Sequence, residues 1–389
     1  MGNVGLVLTG GGARAAYQTG AISALAEIRG PGPSPFAIIT GVSAGAVNGV
    51  SLAAGADDFP NAAGRLASLW RELQPDKVYR TDARKMLRVG GAWLRELAGG
   101  GVLGAREVNF LLDTTPLRDF LRAHLPVPRM RRHIRTGVLR GVAVSATNYA
   151  DGTAVTFFDG APAAEPWLRS TRIGVREHLK VEHVMASAAI PLIFPPVRIR
   201  GVFFGDGCVR LLSPLSPAIH LGAERLLAVG VRHRAPDARG PRRGAAALPL
   251  SRIAGLLLNA VFLDSLEEDV ERLERMNRVL AVLGPAQRER LREPMRQIPI
   301  LVLRPSRDLG GLAGDQYRRF PRFLRYLLKG IGGAAEEGSD LLSYLAFEPV
   351  YVGRCQELGY ADTLARRREI EAFLAGEPAA AGRRDAAGM

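Results

Sequence analysis

Short apolar runs alternate with helix-like segments over the first part of the chain. Residues 4–9 and 36–40 are mainly apolar, which is typical of buried strands in a parallel sheet. Residues 13–29 and 44–54 carry apolar side chains at helical spacing, and a glycine that favours the end of a helix follows each segment. This order of strand, loop, helix, strand, turn and helix predicts an α/β fold with a mostly parallel central sheet covered by helices.

Helical spacing dominates residues 60–135, including one amphipathic segment at 83–97 with basic residues beside its apolar ones. We predict a helical insertion here and regard it as the candidate lid. Strand-like patterns return at residues 138–145 and 153–158, and the Asp151-Gly152 pair between them is typical of a hairpin turn. The chain therefore rejoins the predicted sheet after this insertion.

Changes in composition predict how the chain divides. Residues 1–235 contain most of the predicted strands and form the predicted catalytic domain, whereas residues 236–249 are rich in Arg, Pro, Gly and Ala and are predicted to be a linker. Residues 250–376 are mostly helical, with one predicted core strand at 298–303. Residues 377–389 are predicted to form a disordered tail.

The chain is strongly basic. Its 389 residues carry a formal net charge of +14, almost wholly from Arg, and 47% of them are apolar, which is enough for a sizeable core. Such a charge fits a solvated basic surface, or attraction to anionic lipid surfaces, acidic substrates or nucleic acid. The basic stretches lack interleaved aromatic residues and match no nucleic-acid motif, so we expect no nucleic-acid partner. Contact with an anionic membrane surface stays open, and the sequence does not indicate an oligomeric state.

The sequence lacks the signals of several chemistries and locations. Two cysteines, Cys208 and Cys355, do not make a disulfide framework or a CxxC metal site, and HExxH is absent, so we predict no metal and no other cofactor. The chain enters its first predicted strand without a signal-peptide pattern, and no apolar run approaches the roughly 18 residues of a membrane span. We therefore expect a cytoplasmic protein, with peripheral membrane contact still open.

The stretch Gly41-Val42-Ser43-Ala44-Gly45 lies between the second predicted strand and the second predicted helix. A serine at such a tight turn has a strained backbone and presents its hydroxyl above the sheet edge, and the flanking glycines avoid collisions with the neighbouring strand and helix. The G-x-S-x-G pattern alone also fits an ordinary strand–helix turn in a chain so rich in small residues. Its position makes Ser43 the candidate nucleophile.

A glycine-rich loop, Gly10-Gly11-Gly12-Ala13-Arg14-Ala15, follows the first predicted strand. A dinucleotide-binding loop has a similar pattern, but it requires an acidic residue at the end of the second strand, where this chain has Thr40 and Gly41. The alternative is an oxyanion hole, because free N–H groups at a helix N-terminus stabilise negative charge. Arg14 would either add charge to that site or bind a phosphate group, or else form a structural ion pair.

A serine nucleophile needs a base to take its proton. The chain has six histidines, and Ser43, Asp206 and either His220 or His233 would satisfy the chain order of an α/β-hydrolase triad. None of the six lies in an obviously shaped loop, so we expect all of them to be structural or surface residues. Asp206 is better placed, because it follows an apolar strand and has a glycine on either side, although Asp-Gly is also common in ordinary turns.

Four motifs stand in the order seen in patatin-like phospholipases, and the chain resembles bacterial members of that family. The motifs are Gly10-Gly11-Gly12-Ala13-Arg14, Gly41-Val42-Ser43-Ala44-Gly45-Ala46-Val47-Asn48-Gly49, Ala186-Ser187-Ala188-Ala189-Ile190-Pro191-Leu192-Ile193-Phe194-Pro195-Pro196 and Gly205-Asp206-Gly207. They span residues 5–235, and residues 340–345 are similar to the C-terminal part of longer bacterial members. The resemblance implies a three-layer α/β/α sandwich followed by a helical C-terminal region.

The resemblance also implies roles for the motif residues. Ser43 would be the nucleophile and Asp206 its base, and the oxyanion hole would comprise Gly11, Gly12, Ala13 and Arg14. The glycines that would support these motifs are Gly10, Gly41, Gly45, Gly205 and Gly207. A carboxylate is a weak base for an alcohol unless burial raises its pKa, so we expect Asp206 to be buried.

Two residues depart from the pattern of the family that the chain resembles. Ala15 takes the place of a usual glycine, and Cys208 takes the place of a usual glycine or alanine. Both residues are small, so we expect activity to survive, with the shape of the oxyanion loop most affected.

The function implied by the resemblance is a lipid acyl hydrolase of the phospholipase A type, which cleaves ester-linked acyl chains through an acyl-Ser43 intermediate. Alternatives are another serine acyl hydrolase, such as a thioesterase or a triacylglycerol lipase, and a weakly active membrane-associated regulatory or scaffold protein. The presence of both Ser43 and Asp206 argues against the scaffold.

Overall fold

The computed structural model describes residues 3–80, 110, 112–233, 250–284, 287–288, 295–313, 325 and 343–377. Its strands are Val4–Leu8 (β1), Ile38–Val42 (β2), Gly141–Asn148 (β3), Ala154–Gly160 (β4), Trp167–Leu168 (β5), Arg172–Arg176 (β6), Val197–Ile199 (β7), Val202–Asp206 (β8), Arg225–Val229 (β9) and Ile300–Leu303 (β10). Its helices are Ala16–Arg29 (α1), Ala44–Ala53 (α2), Phe59–Glu72 (α3), Pro75–Val78 (α4), Thr115–His124 (α5), Val127–Arg135 (α6), Val181–Ser187 (α7), Ser216–His220 (α8), Leu250–Phe262 (α9), Asp264–Val282 (α10), Pro349–Leu364 (α11) and Arg367–Ala375 (α12). Short 3-10 helices, Gly12–Ala15 and Gly207–Val209, follow β1 and β8.

The strands form one sheet in the order β10-β9-β1-β2-β3-β4-β6-β5. All neighbours from β10 to β3 are parallel, whereas β4 runs back along β3 after the turn that contains Asp151-Gly152. The parallel strands are buried on both faces, which explains their continuous apolar runs. The prediction of a mostly parallel central sheet is confirmed.

Helices cover both faces of this sheet. Alternate residues of β1 point to opposite faces, so that Leu6 and Leu8 belong to the core shared with α1, α2, α3 and α11. Val7 belongs instead to the core shared with α8 and α10. This arrangement confirms the predicted three-layer α/β/α sandwich.

The hairpin of β7 and β8 joins the sheet at the end of β3. The last residue of β2, Val42, lies opposite Ser145, and β8 takes over the same edge of β3 with Asp206 opposite Ala146. The ends of β2 and β8 therefore meet side by side along β3. This register brings the residue that follows β2 next to Asp206.

Several elements differ from the sequence predictions. β2 starts at Ile38, two residues later than the strand predicted at 36–40. The sequence pattern does not reveal β5 and β6, because these short strands lie at the sheet edge and keep polar, half-exposed positions.

Some predicted features lie outside the described residues. They are the helix at 83–97, the linker at 236–249 and the tail from residue 378 onward. Within the predicted insertion, the described helices are α3, α4, α5 and α6. Of the helices that the structure describes, none is both long enough and apolar enough to cross a bilayer.

Candidate active site

Ser43 lies at the sharp turn between β2 and α2, where the chain leaves the sheet. Its backbone has φ 55° and ψ −131°, a conformation that residues other than glycine rarely adopt. The residue is only 2% exposed, so its surroundings are well placed to hold this strained geometry.

The backbone around the glycines of this turn leaves no room for a side chain at their positions. A Cβ on Gly41 would collide with the carbonyl of Gly45, and a Cβ on Gly45 would collide with the carbonyls of Leu8 and Thr9 at the end of β1. The G-x-S-x-G pattern therefore has a physical cause, because the first turn of α2 lies in direct contact with the backbones of β1 and β2.

Hydrogen bonds hold the backbone of Ser43 in place. Its N–H donates to Ser187 Oγ at 2.8 Å, and the Ser187 hydroxyl donates to the carbonyl of Ser145 at 2.6 Å. The Ser43 carbonyl accepts from the N–H of Ala46 at 2.9 Å, which begins α2. Sequence reasoning did not identify Ser187, although it lies inside one of the four motifs.

Asp206 accepts the hydrogen bond from the Ser43 hydroxyl. Ser43 Oγ donates to Asp206 Oδ2 at 2.6 Å, and the N–H of Cys208 donates to Asp206 Oδ1 at 2.9 Å. Asp206 is fully buried. Its glycine neighbours allow this close packing, because a Cβ on Gly207 would collide with the Ser145 carbonyl and one on Gly205 would collide with the hydroxyl of Tyr149, the residue directly after β3.

The environment of Asp206 makes its carboxylate a stronger base. Burial raises the pKa of Asp206 to about 7, while the hydrogen bonds from Ser43 Oγ and from Cys208 act in the opposite direction. A base with a pKa near the working pH is present in its ionised form and still has an appreciable affinity for a proton. The arrangement can therefore take a proton from the Ser43 hydroxyl at neutral pH.

The six histidines make their contacts away from this pair. His220 stacks on Trp167, with ring centroids 4.6 Å apart, in the layer on the opposite face of the sheet. His233 Nδ1 lies 3.0 Å from the carbonyl of Pro305. The remaining four contact backbone groups, an aromatic ring or a carboxylate elsewhere: His124, His133, His178 and His183. These positions agree with the expectation that all six are structural or surface residues.

Both departures from the family pattern fit the space available. Cys208 is buried, and its sulfur fills the position that a Cβ on Gly10 would occupy, beside Ser43. Burial also raises the pKa of the Cys208 thiol well above its usual value, which disfavours the reactive thiolate. Ala15 has φ −67°, a conformation that does not require glycine.

The glycine-rich loop next to Ser43 has N–H groups that make no hydrogen bond among the described residues. Gly11 and Gly12 have φ values of 151° and 55°, which favour glycine, and the short helix Gly12–Ala15 starts at this point. The N–H of Arg14 donates to the carbonyl of Gly11 at 3.1 Å. None of the hydrogen bonds within the described residues uses the N–H of Gly11, Gly12 or Ala13.

The side chain of Arg14 is engaged with the C-terminal part of the chain. Arg14 Nε donates to Ser343 Oγ at 2.6 Å, and the guanidinium carbon lies 4.5 Å from the ring centroid of Tyr344. Arg14 is buried. These contacts and the hydrogen bond from Arg14 to Asn259 Oδ1 at 3.4 Å favour a structural role for Arg14.

An apolar crevice opens beside Ser43. Its cavity volume is only about 30 Å³, so its walls lie close together. Gly12 and Ser43 line one part of it, and its apolar walls include Val47, Trp70, Leu117, Ile190, Phe194 and Phe347. None of these residues was predicted from the sequence to line a crevice, although Val47, Ile190 and Phe194 lie inside the quoted motifs, because apolar side chains on helices and loops have no pattern that separates a crevice from a core. Among the described residues, no three His, Cys, Asp or Glu side chains are grouped to hold a metal ion.

A family model described as patatin-like phospholipase matches residues 6–219 of this chain. The matched stretch begins in β1, includes Ser43 and Asp206, and ends within α8. It does not include the C-terminal residues that contact Arg14 and line the crevice.

Individual proteins of known name are similar over parts of their length. The lysophospholipase nte1 of Aspergillus terreus is 47% identical over 75 residues, which are 18% of this chain and 5% of that protein. The solved structure of human GIVD cytosolic phospholipase A2 in complex with methyl gamma-linolenyl fluorophosphonate is 12% identical, with a TM-score of 0.44 over 96% of this chain and 59% of that chain. The structure of VipD from Legionella pneumophila is 14% identical, with a TM-score of 0.32 over 89% of this chain and 67% of that chain.

Proposed function

Because this chain belongs to the patatin-like phospholipase family, we propose that it is a lipid acyl hydrolase of the phospholipase A type. The observation that carries this proposal is the 2.6 Å hydrogen bond from Ser43 Oγ to the buried carboxylate of Asp206, beside an apolar crevice. A hydroxyl with an adjacent base is what acyl transfer requires, and an apolar crevice at the same point fits a fatty acyl chain.

In the proposed reaction, Ser43 and Asp206 act as a dyad. Ser43 Oγ attacks the acyl carbonyl carbon while its proton passes to Asp206 Oδ2. The tetrahedral intermediate then collapses, the alcohol leaves with the proton from Asp206, and the acyl group stays on Ser43. Water attacks this ester as Asp206 takes its proton, and the collapse of the second intermediate releases the fatty acid and restores the Ser43 hydroxyl with the proton from Asp206.

The glycine-rich loop stabilises the negative oxygen of both intermediates in this proposal. Two observations support this role. The N–H groups of Gly11, Gly12 and Ala13 donate no hydrogen bond among the described residues, and they lie in the loop packed against Ser43. Arg14 contributes by anchoring this loop rather than through its own amide, which already donates to Gly11. Losing one donor of this kind costs about 3 kcal/mol in the barrier.

The crevice takes the acyl chain of the substrate. Its walls include Trp70 from α3 and Leu117 from α5, both within the predicted insertion at 60–135. Since the free space fits only about two water molecules, the walls must separate before a chain enters. This supports the proposal that the insertion acts as a lid.

The enzyme works at an anionic lipid surface in this proposal. Arg198, Phe203 and Tyr149 form a row across β7, β8 and the end of β3: Arg198 lies opposite Phe203, and the Tyr149 N–H donates to the Phe203 carbonyl at 2.9 Å. Phe203 is 51% exposed and Tyr149 is 43% exposed. Phe203 also lies only three residues before Asp206. An exposed aromatic pair beside an arginine at this position fits an interface with anionic lipid. Cytoplasmic location stays a prediction.

Sedimentation with vesicles tests this lipid contact. Binding to vesicles that contain phosphatidylserine should weaken in Phe203→Asp and persist in Val282→Asp, which adds the same charge at an 81% exposed apolar residue of α10. Equal loss in both variants would mean that net charge, and not this row, directs binding.

Hydrolysis of defined substrates tests the enzymatic proposal. Wild-type protein should release fatty acid from phosphatidylcholine in vesicles that also contain phosphatidylserine, and Ser43→Ala should not. Faster turnover of a triacylglycerol or an acyl thioester than of phosphatidylcholine would identify the protein as one of the alternative serine acyl hydrolases. No turnover of any of the three would favour the regulatory or scaffold alternative.

A further inference from the structure

A segment near the C-terminus, Ser343–Phe347, packs against the glycine-rich loop. The carbonyl of Tyr344 lies where a Cβ on Gly12 would be, so the two backbones are in direct contact. Residues 343–347 lie far outside residues 6–219, the stretch that the family model matches. This chain therefore adds to the family core a segment that touches the edge of the candidate active site.

Several hydrogen bonds fix the position of this segment. Besides its contacts with Arg14, Tyr344 donates through its hydroxyl to Asn259 Oδ1 at 2.9 Å. The Tyr79 hydroxyl donates to the carbonyl of Leu345 at 3.5 Å. Because these anchors come from the glycine-rich loop, from the segment after α4 and from α9, the segment has a defined place relative to Ser43.

The segment ends in Phe347, whose ring forms part of the crevice wall. This ring stacks on the indole of Trp70, with centroids 6.1 Å apart and an angle of 22° between the planes. Both residues are buried and both line the crevice. The pair is therefore an aromatic barrier contributed by two parts of the chain that are distant in sequence.

Hydrogen bonds fix the position of Trp70 along α2. Trp70 Nε1 donates to Asn48 Oδ1 at 2.5 Å, and Asn48 Nδ2 donates to Gln18 Oε1 at 2.9 Å. Asn48 is the fifth residue of the helix that starts directly after Ser43, which places it about 7.5 Å further along the helix axis. An acyl chain attached to Ser43 that follows α2 into the crevice meets the aromatic pair at this depth.

We propose that Phe347 limits the length of acyl chain that the crevice accepts, as a specificity-determining residue supplied from outside the family core. This inference rests on the proposed hydrolase function. Phe347 is the half of the barrier that comes from outside the family core, in a non-helical stretch between Leu345 and α11, whereas Trp70 belongs to α3.

Removing the ring should favour long chains over short ones. Each methylene that a longer crevice buries contributes about 0.8 kcal/mol, which corresponds to about a fourfold gain in kcat/KM. We therefore expect Phe347→Ala to raise the ratio of kcat/KM for p-nitrophenyl palmitate over p-nitrophenyl butyrate by about tenfold or more. Phe347→Trp, which enlarges the ring, should lower this ratio.

The ratio within one protein sample does not depend on the fraction that is folded, so a loss of stability does not hide the effect. Phe36→Ala is the matched control, because Phe36 is also buried and packs on another aromatic ring, Phe59, but does not line the crevice. The control should keep the wild-type ratio.

The outcomes separate this inference from the function on which it rests. A Ser43-dependent wild-type activity with the expected opposite shifts in Phe347→Ala and Phe347→Trp supports both. The same wild-type activity with a ratio in Phe347→Ala within about twofold of the control overturns the role of Phe347 alone. A wild type that hydrolyses neither ester, with or without lipid vesicles, overturns the hydrolase function and this inference together.

Discussion

The Ser43–Asp206 pair and the apolar crevice beside it are built in different ways. The pair depends on backbone geometry: Ser43 has a strained turn, Asp206 has a fixed register on β3, and glycines stand wherever a side chain would collide with a neighbouring backbone. The crevice depends on side-chain packing, with walls from α2, α3, α5, the 188–194 stretch and residue 347.

This difference explains what can vary in such a protein. A site made from backbone contacts tolerates few substitutions, since carbonyl groups cannot move aside as side chains do. A crevice lined by apolar side chains can change its size with one residue, because packing is adjustable by rotamer and volume. We therefore expect the chemistry to depend on the first region and the choice of acyl chain to depend on the second.

The largest expected effect is on the base. Asp206→Asn keeps the shape of the side chain but removes the carboxylate, so kcat/KM for ester hydrolysis should fall by about 10³-fold, within the range for loss of a general base. His220→Ala and His233→Ala are the controls and should retain activity, because neither histidine contacts Ser43 in the described hydrogen bonds. A comparable loss of activity in either histidine variant would indicate a catalytic triad instead of a dyad.

A smaller effect is expected on stability, and it distinguishes a glycine packed against backbone from a glycine with free space around it. Gly45→Ala places a Cβ against the carbonyls of Leu8 and Thr9, so the free energy of unfolding in urea should fall by about 3 kcal/mol. Gly64→Ala on α3 is the matched control, because nothing lies within 4 Å of its Cβ position, and it should stabilise the protein by roughly 0.5–1 kcal/mol. Equal stabilities of the two variants would contradict the packing described for the turn.

The smallest effect concerns pH. Asp206 acts as a base only when ionised, and its pKa is about 7, so kcat/KM should rise about tenfold per pH unit below that value and level off above it. The ratio of palmitate to butyrate hydrolysis should stay constant over the same range, because the crevice wall residues that the structure describes have no titratable side chain. A palmitate-to-butyrate ratio that changes with pH in parallel with kcat/KM would contradict the separate roles of the Ser43–Asp206 pair and the crevice.

The sequence predicted the first region better than the second, and the physical reasons are clear. Ser43 and Asp206 stand in short motifs whose glycines are required by local backbone contacts, so a few consecutive residues contain the signal. The mostly parallel sheet covered by helices followed from the order of apolar runs and helical segments, whereas the three-layer sandwich was implied by the resemblance to the family. The contact of Trp70 with Phe347 and the link from Arg14 to Ser343 join residues far apart in the chain, and no local pattern records them. Ser187 was also missed, because its role depends on the turn that it supports.

Labelling with a fluorophosphonate probe tests the central claim most directly. The probe should form a covalent adduct with the wild-type protein, at Ser43 by peptide mass analysis, and Ser43→Ala should not be labelled. Asp206→Asn should be labelled much more slowly, since the hydroxyl would lack the base that accepts its proton. A folded wild-type protein that is not labelled, even with lipid vesicles present, would contradict the claim that Ser43 is an activated nucleophile.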